Sequence, residues 1–353
     1  MDLAQKEDYL QQLFRDVFHN DIDYRTCSFS YTPASAGKFA AVTTLAFSRA
    51  RRSRLFQLPS WIKHFVGLQT FIVHDLPDLR ELPDSLGRLT ALQSLHINDC
   101  PNLVRLPDQI NQFTKLDHLE IHRCFNLTTL PAVIGQLASL RCLIVNESRI
   151  SCLPDSVGDL AMLETIRIQN CYHMHHLPTT ISRCSKLRTI DILGPLTELP
   201  DLSNFKSLLL LNVTSRLITC LPPSVNELKE LRMLDISWCI NLVSLPEIGN
   251  LVSLQKLNIY SCRLTLPKSI DILALSEIIT SDWCLHHNIS GHVKHPRGRL
   301  QVKTSTHHVH YLTNYRQTIL TLIMASSRRK TARQPPSEIW ELVLHFVVGL
   351  VGH

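Results

Sequence analysis

The sequence predicts an α/β solenoid of about ten repeats, whose parallel strands form a curved, horseshoe-shaped sheet with a concave face. Ten Leu-Pro pairs place their prolines at 59, 83, 107, 131, 154, 178, 200, 222, 246 and 267, at spacings of 21 to 24 residues. A short Leu-x-Ile or Leu-x-Val segment precedes most of these prolines by about ten residues. A nearly fixed period of this length indicates stacked repeats that share one continuous core.

The Leu-x-Ile segments have the alternation of short strands. Because successive side chains of a strand point to opposite faces, Leu95 and Ile97 face the core and His96 faces outward. The predicted terminal strands are Val42–Phe47 and, approximately, Leu275–Thr280. Roughly ten strands spaced about 4.8 Å apart give an inner arc of about 50 Å.

One repeat departs from the period. The segment Asp191–Pro200 is short, and it carries Gly194-Pro195 where the other repeats have a residue of the turn. We therefore expect a local irregularity at this point of the solenoid.

Five cysteines occupy one register position, three residues after the strand segment, at Cys100, Cys124, Cys171, Cys239 and Cys262. A structural metal needs four ligands that converge on one centre, whereas this register separates the cysteines by one repeat or more. A small side chain with a weak S–H donor suits a buried turn that must satisfy backbone carbonyls. We interpret the cysteines as part of the stacking.

The repeat resembles that of the leucine-rich-repeat superfamily. Its consensus, Leu-x-x-Leu-x-Ile-x-x-Cys-x-x-Leu-x-x-Leu-Pro-x-x-Ile-Gly-x-Leu, is nearly complete in Leu92–Leu116 and Leu116–Leu140. It looks most like the intracellular Ras-group repeats and those of plant disease-resistance receptors, and the resemblance spans about Val42–Thr280. The resemblance implies protein binding, often in signalling or immunity. The sequence has no Gly-x-x-x-x-Gly-Lys-Ser/Thr loop and no kinase signature.

The bulk composition favours a folded intracellular protein. Hydrophobic residues make up 44% of the chain and charged residues 19%, which supports a continuous core. An odd cysteine count of 11 fits a reducing compartment. The acidic residues within Met1–Phe18 interrupt any apolar signal segment, and no apolar run is long enough to span a membrane.

The outward strand positions form a polar surface of mixed charge. Such a surface is unlike the basic groove that binds a phosphate backbone, so we predict a protein partner and not a nucleic acid. Trp, Tyr and Arg are the residue types that anchor protein interfaces. The candidate partner-binding residues on the concave face are His96, Glu120, His122, Arg167, Asp191, Asp235, Trp238, Asn258 and Tyr260.

No chemistry is predicted for the repeats. The sequence offers no nucleophile, base and orienting group that can be placed together, so we predict neither an enzyme nor a small-molecule substrate or cofactor. Four histidines, His74, His96, His118 and His122, lie close together in this arrangement. We interpret them as ordinary polar surface and predict no metal site.

The predicted organisation has four parts: an N-terminal helical cap and linker (1–40), the repeat domain (41–282), a basic tail (283–334) and a short amphipathic helix (335–353). The first helix, Met1–Asn20, either covers the open end of the solenoid or binds a partner. The stretch Trp283–Ser337 holds nine Lys or Arg and no Asp or Glu, although the net charge of the whole chain is only +6. Its cluster Arg328–Arg333 suits a nuclear-import signal, a patch for acidic partners or a solvated linker.

The C-terminal stretch Pro335–Val347 begins with prolines and a serine able to cap a helix, followed by apolar residues at helical spacing. It resembles the first helix of an F-box, with Pro336, Glu338, Ile339 and Val343 at matching positions. F-box proteins with leucine-rich repeats recruit substrates to cullin-type ubiquitin ligases. The leading hypothesis is a cytoplasmic protein-binding scaffold in signalling or defence, and the alternatives are such a ligase adaptor or a fragment of an immune-receptor-like protein.

Overall fold

The computed structural model describes residues 27–31, 42–48, 56–58, 60–273, 275–280 and 301–304. The predicted helix over Met1–Asn20, the basic cluster Arg328–Arg333 and the F-box-like stretch Pro335–Val347 lie outside the described residues. Within these ranges the regular elements are short strands and short 3₁₀ turns. No helix in the described part of the chain is long and apolar enough to cross a membrane.

Thirteen strands form one sheet in sequence order. They are β1 (Cys27–Tyr31), β2 (Val42–Ser48), β3 (Thr70–His74), β4 (Ser94–Asn98), β5 (His118–His122), β6 (Cys142–Asn146), β7 (Thr165–Gln169), β8 (Thr189–Leu193), β9 (Leu210–Thr214), β10 (Met233–Asp235), β11 (Lys256–Asn258), β12 (Glu277–Thr280) and β13 (Gln301–Thr304). Each strand from β2 to β11 pairs in parallel with the next, so that the parallel ladder runs from β2 to β12. The predicted parallel solenoid is confirmed, and β2 and β12 lie where the first and last strands were predicted. They are not the terminal strands, however, because β1 and β13 extend the sheet beyond them.

The N-terminal edge of the sheet holds a strand that the sequence analysis did not predict. Strand β1 pairs with β2 in antiparallel orientation, with a register shift between Ser30 and Tyr31. The sheet therefore extends beyond β2, the first parallel strand, by one antiparallel strand.

Short 3₁₀ turns return the chain after most strands. They are Ser60–His64, Asp84–Arg88, Asp108–Gln112, Ala132–Gln136, Asp155–Asp159, Thr179–Arg183, Pro223–Glu227 and Lys268–Ile272. In seven of them the proline of the Leu-Pro pair is the residue before the turn, with φ between −74° and −63°. Proline's ring fixes φ near this value, so the repeated proline sets where each turn begins.

The core lies between the sheet and the turns as one continuous cluster. Strand residues such as Leu95 and Ile97 contribute one layer, and turn residues such as Ile110 and Ile134 contribute the other, all at 1% exposure or less. Burying one such side chain contributes roughly 1.5–3 kcal/mol. Because every repeat adds the same positions, the stacked leucines hold the strand register along the whole solenoid.

The cysteine column is buried and bonded to the backbone, as predicted. The thiols of Cys239 and Cys262 donate to the carbonyls of Val213 and Ile236 in the preceding repeat, at 3.2 and 2.9 Å. Cys124 and Cys171 make the equivalent contacts at 3.7 and 3.6 Å. These contacts are the weak S–H donor role predicted for the cysteines, directed at backbone carbonyls of the preceding repeat.

The predicted irregularity at Gly194 is confirmed. In most repeats the residue directly after the strand adopts a left-handed backbone, with φ from 49° to 63°. Gly194 lacks this conformation, although its N–H still donates to the Thr214 carbonyl at 3.1 Å. No 3₁₀ turn separates β8 from β9 within the described residues.

Candidate interaction surface on the sheet

The sheet face is the set of strand positions that point away from the core, together with the residue that follows each strand. Its central row is His96, Glu120, Ile144, Arg167, Asp191, Asn212, Asp235 and Asn258, in which each residue pairs with the next. The second row begins His74, Asn98, His122, Asn146, Gln169, Leu193 and Thr214 in the same way. The strand pairing therefore places the residues of each row side by side across the sheet.

The third row consists of the residues in the left-handed conformation: Asp75, Asp99, Arg123, Glu147, Asn170, Trp238 and Ser261. A non-glycine residue in this region costs roughly 1–2 kcal/mol. The cost is offset because N–H groups of this row donate to carbonyls of the next repeat, such as Asp99 to His122 at 2.9 Å and Trp238 to Tyr260 at 2.8 Å. The left-handed turn thus extends the sheet ladder and fixes the direction of each third-row side chain.

The histidine end of the sheet face comprises His74, His96, His118 and His122 with their acidic neighbours on β3 to β6. His96 Nδ1 lies 2.9 Å from Glu120 Oε2, and His118 Nε2 lies 3.7 Å from the same oxygen. The two rings are 5.1 Å apart between centroids. These three residues form a group whose potential metal-ligating atoms all lie within 4.8 Å of one another.

A charged network adjoins this end. His122 Nε2 and Arg123 Nε each contact the Glu147 carboxylate at 3.2 Å, and Arg123 also reaches Asp99 at 3.5 Å. Burial disfavours the Glu147 carboxylate, but the hydrogen bond from His122 and the charge of Arg123 outweigh it and hold its pKa below the ordinary value. Glu147 is therefore an anion in the folded protein at neutral pH.

The middle of the sheet face is organised around Asp191. Its carboxylate accepts hydrogen bonds from Arg167 at 2.7 Å, Gln169 at 3.0 Å and Asn212 at 2.9 Å. The residue is only 7% exposed. Asp191 therefore orients the Arg167 guanidinium and offers little surface of its own to a partner.

A similar arrangement occurs at β10 and β11, where one carboxylate again accepts several hydrogen bonds but is less buried than that of Asp191. Asn258 donates to the Asp235 carboxylate at 2.8 Å, and the same carboxylate accepts the Ser237 N–H at 2.9 Å. The Asn258 side-chain oxygen in turn accepts the Tyr260 N–H at 3.1 Å. Asp235 and Asn258 thus hold the backbone that carries the neighbouring aromatic residues.

The aromatic end of the sheet face is formed by Arg216, Trp238 and Tyr260. The rings of Trp238 and Tyr260 meet edge to face with centroids 5.6 Å apart. The Arg216 guanidinium carbon lies 6.0 Å from the Trp238 ring centroid, at the limit of a cation–π contact. A bulky residue in the left-handed region, as Trp238 is with φ of 63°, is a rare conformation that tends to occur at functional positions.

Two apolar side chains stand in the turns that follow β9 and β10. Leu217 is 43% exposed and Ile240 is 40% exposed. Neither these two residues nor Arg216 are among the predicted binding residues, because all three lie beyond the strand positions that the alternation marks. Only their position along the sequence marks them, because each lies one or two residues after a third-row or turn residue.

The predicted candidates do not form a single cluster. Glu120 and His96 lie in contact at the histidine end, whereas Trp238 and Tyr260 lie in contact at the aromatic end. Arg167 and Asp191 form a separate pair between them. The surface is therefore a row of distinct polar and aromatic patches held in fixed register by the strands.

The described cysteines are poor nucleophiles where they are buried. Burial raises the pKa of the Cys100 and Cys239 thiols to about 12 in both cases, and that of Cys184 to about 11. A nucleophilic cysteine needs a depressed pKa and access to its substrate. The arrangement of these thiols serves packing.

No family model matches the chain, and no curated protein matches it. Among solved structures, the functional domain of InlJ from Listeria monocytogenes, which includes a cysteine ladder, is similar with 19% identity and a TM-score of 0.52, over 69% of this chain and 49% of that one. The Arabidopsis receptor kinase HAESA, in complex with a peptide hormone and a co-receptor, is similar with 19% identity and a TM-score of 0.50, over 74% and 46%.

The leucine-rich repeat domain of the type III effector XopL has 23% identity over 68% of this chain and 74% of that one, with a TM-score of 0.44. This chain spans about half the length of the InlJ and HAESA chains that it matches. At these identities the likeness to the InlJ and HAESA chains concerns the fold. Together with the strand order and the repeat register, it shows that this chain has the leucine-rich-repeat fold.

Proposed function

We propose that this protein is a non-enzymatic scaffold that binds a partner protein on the sheet face. The observation that carries the proposal is the aromatic end, where Trp238 and Tyr260 are in contact in the turns after β10 and β11, two strands that one continuous core holds in place. Trp, Tyr and Arg dominate the binding energy of protein interfaces when they sit in well-packed surroundings. A preorganised patch of this kind loses little conformational entropy when it binds.

The charge of the sheet face favours a protein over a nucleic acid. Acidic residues such as Glu120, Glu147 and Asp235 alternate with Arg123 and Arg167 along the rows. Binding to a phosphate backbone requires cations that neutralise several phosphates, and carboxylates in the same rows oppose it. A protein partner with its own mixed charges satisfies such a surface and gains specificity from it.

We also propose a biological role and a cellular location for this binding protein. The resemblance of the repeats to the Ras-group and disease-resistance types supports a role in signalling or defence. The cysteine count supports an intracellular, cytoplasmic location, and the basic stretch is the feature that would support import into the nucleus. A fragment of an immune-receptor-like protein is the alternative that rests on the same resemblance.

The F-box-like stretch supports a second candidate function, an adaptor that brings substrates to a cullin-type ubiquitin ligase. Its support is the sequence pattern of Pro336, Glu338, Ile339 and Val343. On this proposal the full chain co-purifies with the linker subunit of the ligase, and deletion of residues 334–353 abolishes the association. Retention of the linker subunit by the shortened chain would remove this candidate.

The scaffold proposal is tested by affinity capture with two matched variants. In the first variant Arg167, Asp235, Trp238 and Tyr260 are changed to alanine, and in the second the change is made at the exposed turn residues Arg183, Lys206, Glu227 and Val252. We expect a specific partner to be recovered with the wild-type chain and with the turn variant but not with the sheet-face variant. Equal recovery with all three chains would refute binding through the sheet face.

A further inference from the structure

Three side chains from two neighbouring strands converge at the histidine end. His96 is on β4, and His118 and Glu120 are on β5, two residues apart and therefore on the same face of that strand. The pairing of His96 with Glu120 in the central row brings their side chains together across the strands. The sheet itself thus supplies three donor groups at one point.

The donor atoms are close to the spacing of a metal site. The Glu120 oxygen lies 2.9 Å from His96 Nδ1 and 3.7 Å from His118 Nε2, and all three donors lie within 4.8 Å of one another. A tetrahedral ion with bonds of about 2.1 Å places its ligand atoms about 3.4 Å apart. The two distances from the Glu120 oxygen lie on either side of that value.

The geometry points to a new site, and we propose that His96, His118 and Glu120 bind a divalent transition metal ion of the Zn²⁺ class. Two imidazole nitrogens and one carboxylate select such ions over Mg²⁺ and Ca²⁺, which prefer all-oxygen ligands. Three protein ligands leave a coordination position open. That position faces away from the core, because all three side chains belong to the outward positions of the sheet.

Burial of the site is intermediate, which suits an exchangeable ion. The side chains of His96, His118 and Glu120 retain 24%, 29% and 29% exposure, so an ion can enter from solvent. The Leu95, Ile97, Leu119 and Ile121 side chains on the opposite face of the same strands are buried in the core and hold both backbones in place. Fixed strands reduce the entropy lost when the ligands are ordered around an ion.

The sequence-based interpretation of these histidines as ordinary polar surface did not include Glu120 among the candidate metal ligands. Spacing along the chain shows the two histidines 22 residues apart but does not show that one carboxylate lies between their rings. The pair His175 and His176 provides the contrast. Their ring centroids are 6.3 Å apart, and within the described part of the chain they belong to no such group of three ligands.

The test is a Zn²⁺ titration of the full wild-type chain, read as bound equivalents by equilibrium dialysis in the presence of a reductant. The site variant carries His96→Asn and His118→Asn, and the matched control carries His175→Asn and His176→Asn, so that each loses two histidines. A third variant, Glu120→Gln, keeps the size of the side chain. Urea unfolding of every variant verifies that the fold is retained.

We expect the wild-type and control chains to bind one equivalent of Zn²⁺ more than the site variant does. We also expect Glu120→Gln to weaken that equivalent at least about tenfold, as loss of a ligand or its support does in metal sites. Equal stoichiometry in the site variant and the control, or no saturable binding to the wild type, would overturn the site. The titration contains no partner protein, so its outcome leaves the scaffold proposal to its own test.

Discussion

The Asp191 carboxylate accepts a 2.7 Å hydrogen bond from Nε of Arg167, across the adjacent strands β8 and β7. Gln169 and Asn212 donate to the same carboxylate at 3.0 and 2.9 Å. One buried acid therefore fixes three side chains of the sheet face. The polar rows of the surface are thus held from within by specific acceptors and do not consist of independent solvated groups.

Replacement of Asp191 by alanine is the first prediction. Three donors lose their acceptor in a position that is only 7% exposed, so we expect the free energy of unfolding to fall by about 2–3 kcal/mol. The control is Glu198→Ala, since Glu198 is 75% exposed and has an ion pair to His176 at 3.8 Å. Urea unfolding should register a change below about 0.5 kcal/mol for the control. Equal small effects would show that Asp191 does not organise this part of the sheet.

Glycine in the 3₁₀ turns gives the second prediction. A Cβ at Gly158 would lie 2.7 Å from Thr180 Cβ and closer still to the Thr180 carbonyl oxygen of the next repeat. We expect Gly158→Ala to destabilise the fold by about 1–3 kcal/mol, because adjacent turns must separate to admit the methyl group. Gly194→Ala is the matched control, since the nearest atom to its Cβ would be the Cys171 oxygen at an ordinary 3.5 Å. A control that loses as much stability would contradict the close stacking of the turns.

The third prediction concerns thiol reactivity. Cys152 and Cys220 are exposed, whereas Cys100 and Cys239 are buried and burial raises the pKa of each to about 12. At pH 8 the buried thiols are almost entirely protonated, and the thiolate is the reactive form. Peptide-resolved alkylation should label the two exposed cysteines at least about 100-fold faster, and urea should abolish the difference. Comparable rates in the native protein would contradict the buried column.

The same burial predicts a pH dependence of stability. The pKa of Cys239 is raised from 9.0 to about 12 on folding, so its contribution is present below pH 9 and is lost as the pH rises toward 12. Between pH 8 and pH 10 the destabilisation caused by Cys239→Ala should shrink by about 1.4 kcal/mol. Cys152→Ala is the exposed control and should leave the unfolding free energy unchanged. A destabilisation that stays constant with pH would show that Cys239 ionises as freely in the folded chain as in the unfolded one.

Much of the fold follows from the sequence because the period is encoded in many copies. Ten Leu-Pro pairs fix the repeat length, and the Leu-x-Ile alternation fixes which strand residues face outward. The cysteine column and the irregularity at Gly194 are predictable for the same reason. The cysteines recur at one position of the repeat, whereas the segment at Gly194 departs from the repeat. Strand β1 belongs to no repeat, and its antiparallel pairing with β2 therefore leaves no periodic signal.

The candidate surface is less predictable because its properties depend on side-chain contacts between repeats. Alternation places Asp191 on the outward side, but it cannot show that three neighbours enclose its carboxylate. It also places His118 and Glu120 on one strand without showing that they share a point with His96. The left-handed backbone of Trp238 is equally hidden, since the other residues that adopt it at this position are Asp, Arg, Glu, Asn or Ser.

The central claim, that a partner protein binds the sheet face through its aromatic end, is tested most directly by the affinity of single variants for the partner recovered by capture. Trp238→Ala should raise the dissociation constant about 30-fold, the equivalent of about 2 kcal/mol for an anchoring residue. Val252→Ala, at a position 69% exposed in a turn, should leave it unchanged. Titration calorimetry that finds the same dissociation constant for Trp238→Ala and the wild type would contradict the account.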